Sequence, residues 1–283
     1  LNSRAMIFPD FDPVAVQLGP LAIRWYGLMY LAGFAAAWWL GRMRAGRPGA
    51  VISPPQMDDL LFYAALGVIL GGRLGYILFY DFESWLADPL QIFRVWEGGM
   101  SFHGGFLGVL VGMWWYARRV GKTFFALTDF IAPLVPLGLL AGRIGNFING
   151  ELWGAPGGVP WAMQLSCANH PSVCWDKLLL APSSVLTPPL HPTQLYEAAL
   201  EGLVLFLLLW FFSARPRPVM AVSGLFLLGY GLFRFMVEFL RMPDAHLGYL
   251  AYGWVTMGQV LSAPMMLAGA LLLTLAYRKQ IKS

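Results

Sequence analysis

Of the 283 residues, 58% are hydrophobic and only 12% are charged, with a formal net charge of +4 at pH 7. A soluble globular domain is about 45–50% apolar and about 25% charged. The composition therefore excludes a disordered chain, a fibrous protein and, despite its basic balance, a nucleic-acid binder, and it points to a polytopic membrane protein.

The first twenty residues lack a basic stretch leading into an apolar run, and they contain Asp10 and Asp12, so no cleavable signal peptide is expected. Residues 1–5 precede Met6, and the sequence leaves their origin open. Apolar segments follow at approximately 21–41, 58–80, 101–117, 125–147, 194–213, 220–240 and 253–277. They are too long and continuous for the ~10-residue alternating spans of a β-barrel. The expected fold is an all-α polytopic membrane protein with seven transmembrane helices. Residues 1–283 are expected to form a single transmembrane domain. Residues 152–190, rich in Gly, Pro and Trp, form a small periplasmic head inserted between helices four and five.

Lysine and arginine set the orientation. Arg42, Arg44, Arg47, Arg118, Arg119, Lys122, Arg215, Arg217, Arg278, Lys279 and Lys282 fall on one set of alternating loops. Those eleven are more than half of the 19 basic residues. The N-terminus is thereby expected outside and the C-terminus in the cytoplasm. Trp38, Trp39, Trp114, Trp115, Tyr116, Trp210 and Tyr277 lie beside the basic clusters, as interfacial anchors do.

Several charges remain inside the apolar segments: Arg24, Arg73, Arg143, Arg234, Glu197, Glu201 and Glu238, with Asp129 and Glu151 flanking segment four. A buried arginine costs roughly 2.5–3.5 kcal/mol on insertion scales, so each needs a partner inside the bundle. Arg143 and Asn146 share a helix face, and Arg234 and Glu238 form an i,i+4 pair. Glu197 and Glu201 are also four apart and repel unless a cation sits between them. Arg143 has no acid at i±3 or i±4, so its charge is met by another helix, by Glu151 folding back, or by a ligand. Two guanidiniums suit a phosphate oxyanion, because a planar fork binds it bidentately. The residues by themselves thus describe an outer-leaflet site for an anionic, phosphate-bearing membrane molecule. Structural ion pairing is the competing reading. A transporter is disfavoured because no internal repeat is visible. An intramembrane serine protease is rejected because A-V-S-G at 221–224 lacks the first glycine of its motif.

Two cysteines are too few for a disulfide framework or a structural zinc site. Four scattered histidines, with no H-E-x-x-H and no Cys-His cluster, argue against a metal enzyme, and neither metal nor cofactor is expected. Cys167 and Cys174 both lie in the segment assigned to an oxidising compartment, where a bridge is expected; two free thiols are the alternative.

H-G-G at 103–105 and G-R-I-G-N-F-I-N-G-E at 142–151 resemble the signature of the prolipoprotein diacylglyceryl transferase family. So do R-W-Y-G at 24–27, H-P-T-Q-L-Y-E at 191–197 and G-Y-G-L-F-R-F-M-V-E-F-L-R at 229–241. The resemblance runs in order through nearly the whole chain and implies an enzyme of the bacterial inner membrane, with the N-terminus and the 152–190 head in the periplasm. It implies transfer of the sn-1,2-diacylglyceryl group from phosphatidylglycerol to the lipobox cysteine of a prolipoprotein, giving a thioether and glycerol 1-phosphate, the first step of lipoprotein maturation. It implies catalytic roles for His103, Arg143 and Arg234, and substrate binding by Arg143, Tyr26, Asn146, Glu151 and Glu238. The implied partners are phosphatidylglycerol, a prolipoprotein signal peptide and the bilayer, with no nucleic acid. The chain departs from the family pattern at Arg24, where histidine is expected, and in C-A-N-H-P-S-V-C at 167–174.

The implied nucleophile is the substrate's own thiol, so no protein serine or cysteine is required. An unperturbed thiol has a pKa near 8.5. His103 is the candidate to take its proton, with holding the substrate by a hydrogen bond as the competing role.

Overall fold

In lipid each backbone N–H and C=O must be satisfied within its own segment, so long apolar runs become helices. The computed structural model describes residues 6–94, 96, 98–243 and 248–281, and the readings of residues 1–5 and of Lys282 lie outside these. Short strands β1 (Met6–Ile7), β2 (Val14–Leu18) and β3 (Leu21–Arg24) open the chain. Helices α1 (Trp25–Ala45), α2 (Pro54–Tyr80) and α3 (Phe82–Ala87) follow, then a 3-10 turn at Pro89–Phe93. Next come α4 (Phe102–Arg119), α5 (Phe124–Ile131), α6 (Val135–Ile148) and strand β4 (Met163–Gln164). A π-helical turn spans Ser172–Lys177. Helix α7 (Thr193–Glu197) continues through π-helical Ala198–Val204 into α8 (Leu205–Phe212), before α9 (Ala221–Glu238) and α10 (Met257–Ile281).

Every expected apolar segment contains helix. Among the described residues, Pro54–Tyr80, Thr193–Phe212, Ala221–Glu238 and Met257–Arg278 are long and apolar enough to cross a membrane, and α5 with α6 makes a fifth if taken together. The chain is thus a mostly helical, multi-pass membrane protein. The first segment begins later than its hydropathy suggested. Residues 21–24 pair with β2 across a turn at Gly19, whose φ is +58°, so Arg24 ends an edge strand and is exposed. It precedes helix α1 rather than lying within it.

Contacts divide the chain into two units, Leu1–Ala37 with Ala132–Ser283, and Trp38–Ile131. In the second unit, α2 and α4 meet along glycines. Gly67, Gly71 and Gly75 recur every four residues on α2, and Gly104, Gly108 and Gly112 do so on α4. A Cβ at Gly75 would stand 2.7 Å from the Gly104 Cα, and one at Gly112 would stand 2.7 Å from the Tyr63 carbonyl oxygen. Only backbone fits there, and close van der Waals contact is what joins helices where lipid is as apolar as leucine. Arg73, 4% exposed, answers its burial with carbonyls: its guanidinium donates to Gln91 O, to Ile92 O at 3.2 Å, and to the Gly98 and Gly99 oxygens. Gly98 and Gly99 have φ of +86° and +79°, a conformation glycine adopts without steric cost.

In the first unit, residues 152–190 close around an apolar core of Trp153, Leu165, Val173 and Leu190, completed by Phe8 and Met242 from outside that stretch. Parallel pairing of β1 with β4 brings Phe8 in. Asp10 then accepts from Asn169 Nδ2 at 2.8 Å and lies 2.8 Å from His170 Nε2. Cys167 and Cys174 form the expected disulfide, with Cα atoms 5.6 Å apart.

Candidate active site

Helix α6 starts with Pro136 in its first turn, where a missing N–H costs no hydrogen bond. It carries Arg143 and Asn146 one turn apart. Gly145 lets the Tyr26 ring lie against this helix, since a Cβ there would stand 2.9 Å from it. The Tyr26 hydroxyl is 3.1 Å from that of Tyr30, with Asn146 and Glu151 flanking it. Glu151 accepts from Asn149 Nδ2 at 3.1 Å and from Asn146 Nδ2 at 3.5 Å. Its backbone carbonyl accepts from buried Gln194. Of the three ways open to Arg143, then, Glu151 folding back is not the one used.

Another helix meets that charge. The carboxylate of Glu197, fully buried, is a hub for three arginines. Its Oε2 lies 2.9 Å from Arg143 Nε. Its Oε1 accepts from Arg234 Nη1 and, at 3.2 Å, from Arg241 Nη1. Glu201, also fully buried, stands 3.9 Å from Arg143 Nη2 and 3.9 Å from Arg234 Nη1. Glu238 Oε2 is 2.9 Å from Arg234 Nη2 and 3.5 Å from Arg241 Nε, while its Oε1 accepts from Thr256 Oγ1 at 3.0 Å. Gly258 makes room for this carboxylate: a Cβ there would be 2.6 Å from it. Gly202 likewise brings the helix bearing the two acids against Leu140 of α6.

Three guanidiniums thus face three carboxylates in one buried knot. The i,i+4 pair of Arg234 and Glu238 was legible in the sequence, but Nη1 of Arg234 is also engaged, by Glu197. The repelling pair Glu197 and Glu201 has cations beside it, as its spacing required. The second carboxylate lies within a π-helical stretch, a local widening frequent at functional sites. Three members of the knot went unassigned in the sequence: Glu197 and Glu201, whose signal was two acids four apart in an apolar span, and Arg241, whose position past the end of an apolar run looked like a loop charge. Arg143 is the most exposed of the arginines, with 19% of its side chain accessible against 15% for Arg234 and 10% for Arg241.

Of the sequence-derived site residues, Arg143, Arg234 and Glu238 come together directly, and Asn146, Glu151 and Tyr26 gather along the same helix. All six lie in the first unit. His103 belongs to the other. It is the second residue of α4, exposed, with its ring edge-on to Phe102 at 5.6 Å between centroids. Its backbone is fixed by Ser101, which caps α4 through Oγ to Gly104 N and donates its own N–H to Gly72 O at 2.9 Å.

The family model for prolipoprotein diacylglyceryl transferase matches residues 13–275. The chain belongs to this family. It is 56% identical to a protein from Ectopseudomonas mendocina named phosphatidylglycerol–prolipoprotein diacylglyceryl transferase, over 96% of this chain and 97% of that one. Relatives of the same name from Azotobacter vinelandii, at 57% identity over 97% and 98% of the two chains, and Methylococcus capsulatus, at 56% over 97% and 99%, are similar throughout. The segments carrying Tyr26, His103, the α6 motif, Glu197 and Arg234 all fall inside the family match.

Proposed function

We propose that this chain transfers the sn-1,2-diacylglyceryl group of phosphatidylglycerol to the lipobox cysteine of prolipoproteins. The observation that carries this reading is a knot of arginines on apolar helices, in a chain matched over 96% of its length by a transferase of that name. In the reaction, the peptide thiolate attacks the glyceryl carbon that bears the phosphodiester. A C–S bond forms, the C–O bond to phosphate breaks, and glycerol 1-phosphate leaves with the electron pair. Negative charge builds on that phosphate. Guanidiniums held in place beforehand stabilise it in a site shielded from water, the largest kind of catalytic contribution.

Arg143, the most exposed of the three, takes the phosphodiester, and Arg234 shares it as charge develops. Tyr26, Asn146 and Glu151 position the lipid headgroup. Glu238 orients Arg234. His103 accepts the thiol proton. The membrane arrangement that suits this reading has seven spans, with the head and the N-terminus in the periplasm and the C-terminus in the cytoplasm of the inner membrane. The clustering of these charges toward the ends of the apolar segments opposite the basic loops supports a site near the outer leaflet.

The test is transfer of labelled phosphatidylglycerol to a lipobox peptide by the purified protein. Thioether formation with release of glycerol phosphate is expected; movement of lipid without it would make the protein a transporter. Replacing His103→Gln keeps a hydrogen-bonding side chain and removes the base, so turnover between about pH 6 and 8 falls. Normal turnover across that range would remove His103 as the base.

A further inference from the structure

Arg234 and Arg241 sit seven residues apart and share their carboxylate partners atom for atom. Glu197 Oε1 holds Nη1 of Arg234 and also Nη1 of Arg241. Glu238 Oε2 lies 2.9 Å from Nη2 of Arg234 and 3.5 Å from Nε of Arg241. One arginine is therefore redundant as long as both stay. The redundancy matters when one of them turns to a new anion. Glu197 is fully buried and Glu238 is 6% exposed. Stripping the cation from a buried carboxylate is strongly unfavourable, because no water replaces it. Without Arg241, a departing Arg234 would leave Glu238 with no arginine and Glu197 with Arg143 alone, so it would be held on these acids rather than free to serve a substrate phosphate.

We propose that Arg241 is a positioning residue, a reserve counter-cation that keeps Glu197 and Glu238 neutralised while Arg234 turns to the phosphodiester. This rests on the phosphate-binding reading of Arg234 given above. The geometry suits the task. Arg241 is the least exposed of the three arginines, and it approaches Glu197 and Glu238 through the same oxygens that Arg234 uses. Glu238 keeps its other oxygen on Thr256, and so holds its place during the exchange. What Arg241 supplies is charge at a fixed point, and its guanidinium need never touch substrate.

The experiment follows initial transfer rate against the surface fraction of phosphatidylglycerol for the full-length protein, together with its membrane abundance. Arg241→Gln is expected to accumulate and to raise the KM for phosphatidylglycerol about tenfold, with a smaller effect on kcat. Arg241→Lys keeps the charge and stays within about threefold of the parent. A direct phosphate contact by Arg241 predicts that lysine fails, and that result overturns the proposal. So does an unchanged KM in Arg241→Gln. If that variant does not accumulate, Arg241→Lys decides, since a tenfold loss there refutes a charge-only role. Arg234→Gln runs alongside. Full transfer by Arg234→Gln sinks the phosphate-site reading itself, whereas loss of transfer there with a normal KM in Arg241→Gln sinks only the role of Arg241.

Discussion

The two units join their helices in opposite ways. Between α2 and α4 the contact is neutral and almost without side chains, glycine backbone against glycine backbone. Around α6, α7 and α9 the contact is ionic, with three partly accessible arginines around three buried glutamates. Both solve the same problem, since lipid gives apolar helices no reason to prefer one another over the bilayer. The glycine seam gains dispersion by proximity and tolerates no added atom. The ionic knot gains directionality but exposes the fold to the cost of any unpaired charge. A seam of the first kind can only hold. A knot of the second kind can also exchange partners, which is what binding an anion requires.

The largest expected effect lies in the seam. Gly108→Leu forces four carbons into space now held by the Gly67 carbonyl and the Gly71 Cα, which cannot give way without parting the helices. The protein should fail to accumulate, as measured by membrane abundance and by proteolysis of what remains. An abundant Gly108→Leu protein would show that the two helices do not rely on this contact.

Next comes Arg143, where function and stability should separate. Arg143→Ala is expected to accumulate and to lose essentially all transfer, about 100-fold or more, because Glu197 and Glu201 keep Arg234 beside them. Arg143→Lys keeps charge without the planar fork and should still lose most activity. If Arg143→Ala instead fails to accumulate while the surviving fraction is active, the knot is structural throughout, and the contrast between the two units reduces to one of chemistry alone.

The smallest effect sharpens the comparison by showing what an ion pair does where water reaches it. Asp58 accepts from Trp38 Nε1 at 2.7 Å and pairs with Arg42, and both charged side chains are about two-fifths exposed, at 43% and 38%. Removing that pair by Asp58→Asn should shift thermal unfolding by no more than about 1 kcal/mol equivalent and leave transfer rates unchanged. A loss as large as that of Arg143→Ala would mean that exposure is no guide to the weight of charges in this protein.

How far the sequence could be read differs between the two regions for physical reasons. Helical segments announce themselves by continuous apolar runs, because the bilayer demands internal hydrogen bonding. The starts of the first and last were each misplaced by four residues, the first because a hairpin strand as apolar as Leu21–Ile23 looks like helix by hydropathy. Arg143, Arg234 and Glu238 were identifiable because charge in an apolar run is costly and therefore purposeful. The i,i+4 partner of Arg234 follows from helix geometry alone. The partner of Arg143 does not, because Glu197 lies 54 positions away in sequence and nothing local selects one helix over another. Nor could Arg241 be assigned, since the end of an apolar run tells nothing of which way the chain turns.

By itself, then, the sequence determined that the chain is helical, apolar and membrane-spanning, and which residues carry charge where lipid forbids it. Those properties depend on each residue and its near neighbours. Tertiary structure alone decided that Glu197 would be shared by three arginines, that Phe8 would complete the core of residues 152–190, and that glycines on α2 would face glycines on α4. Each of these pairs residues far apart in the chain. A charge can be satisfied by any opposite charge and a glycine face by any close backbone, so only the packing of whole helices chooses among them.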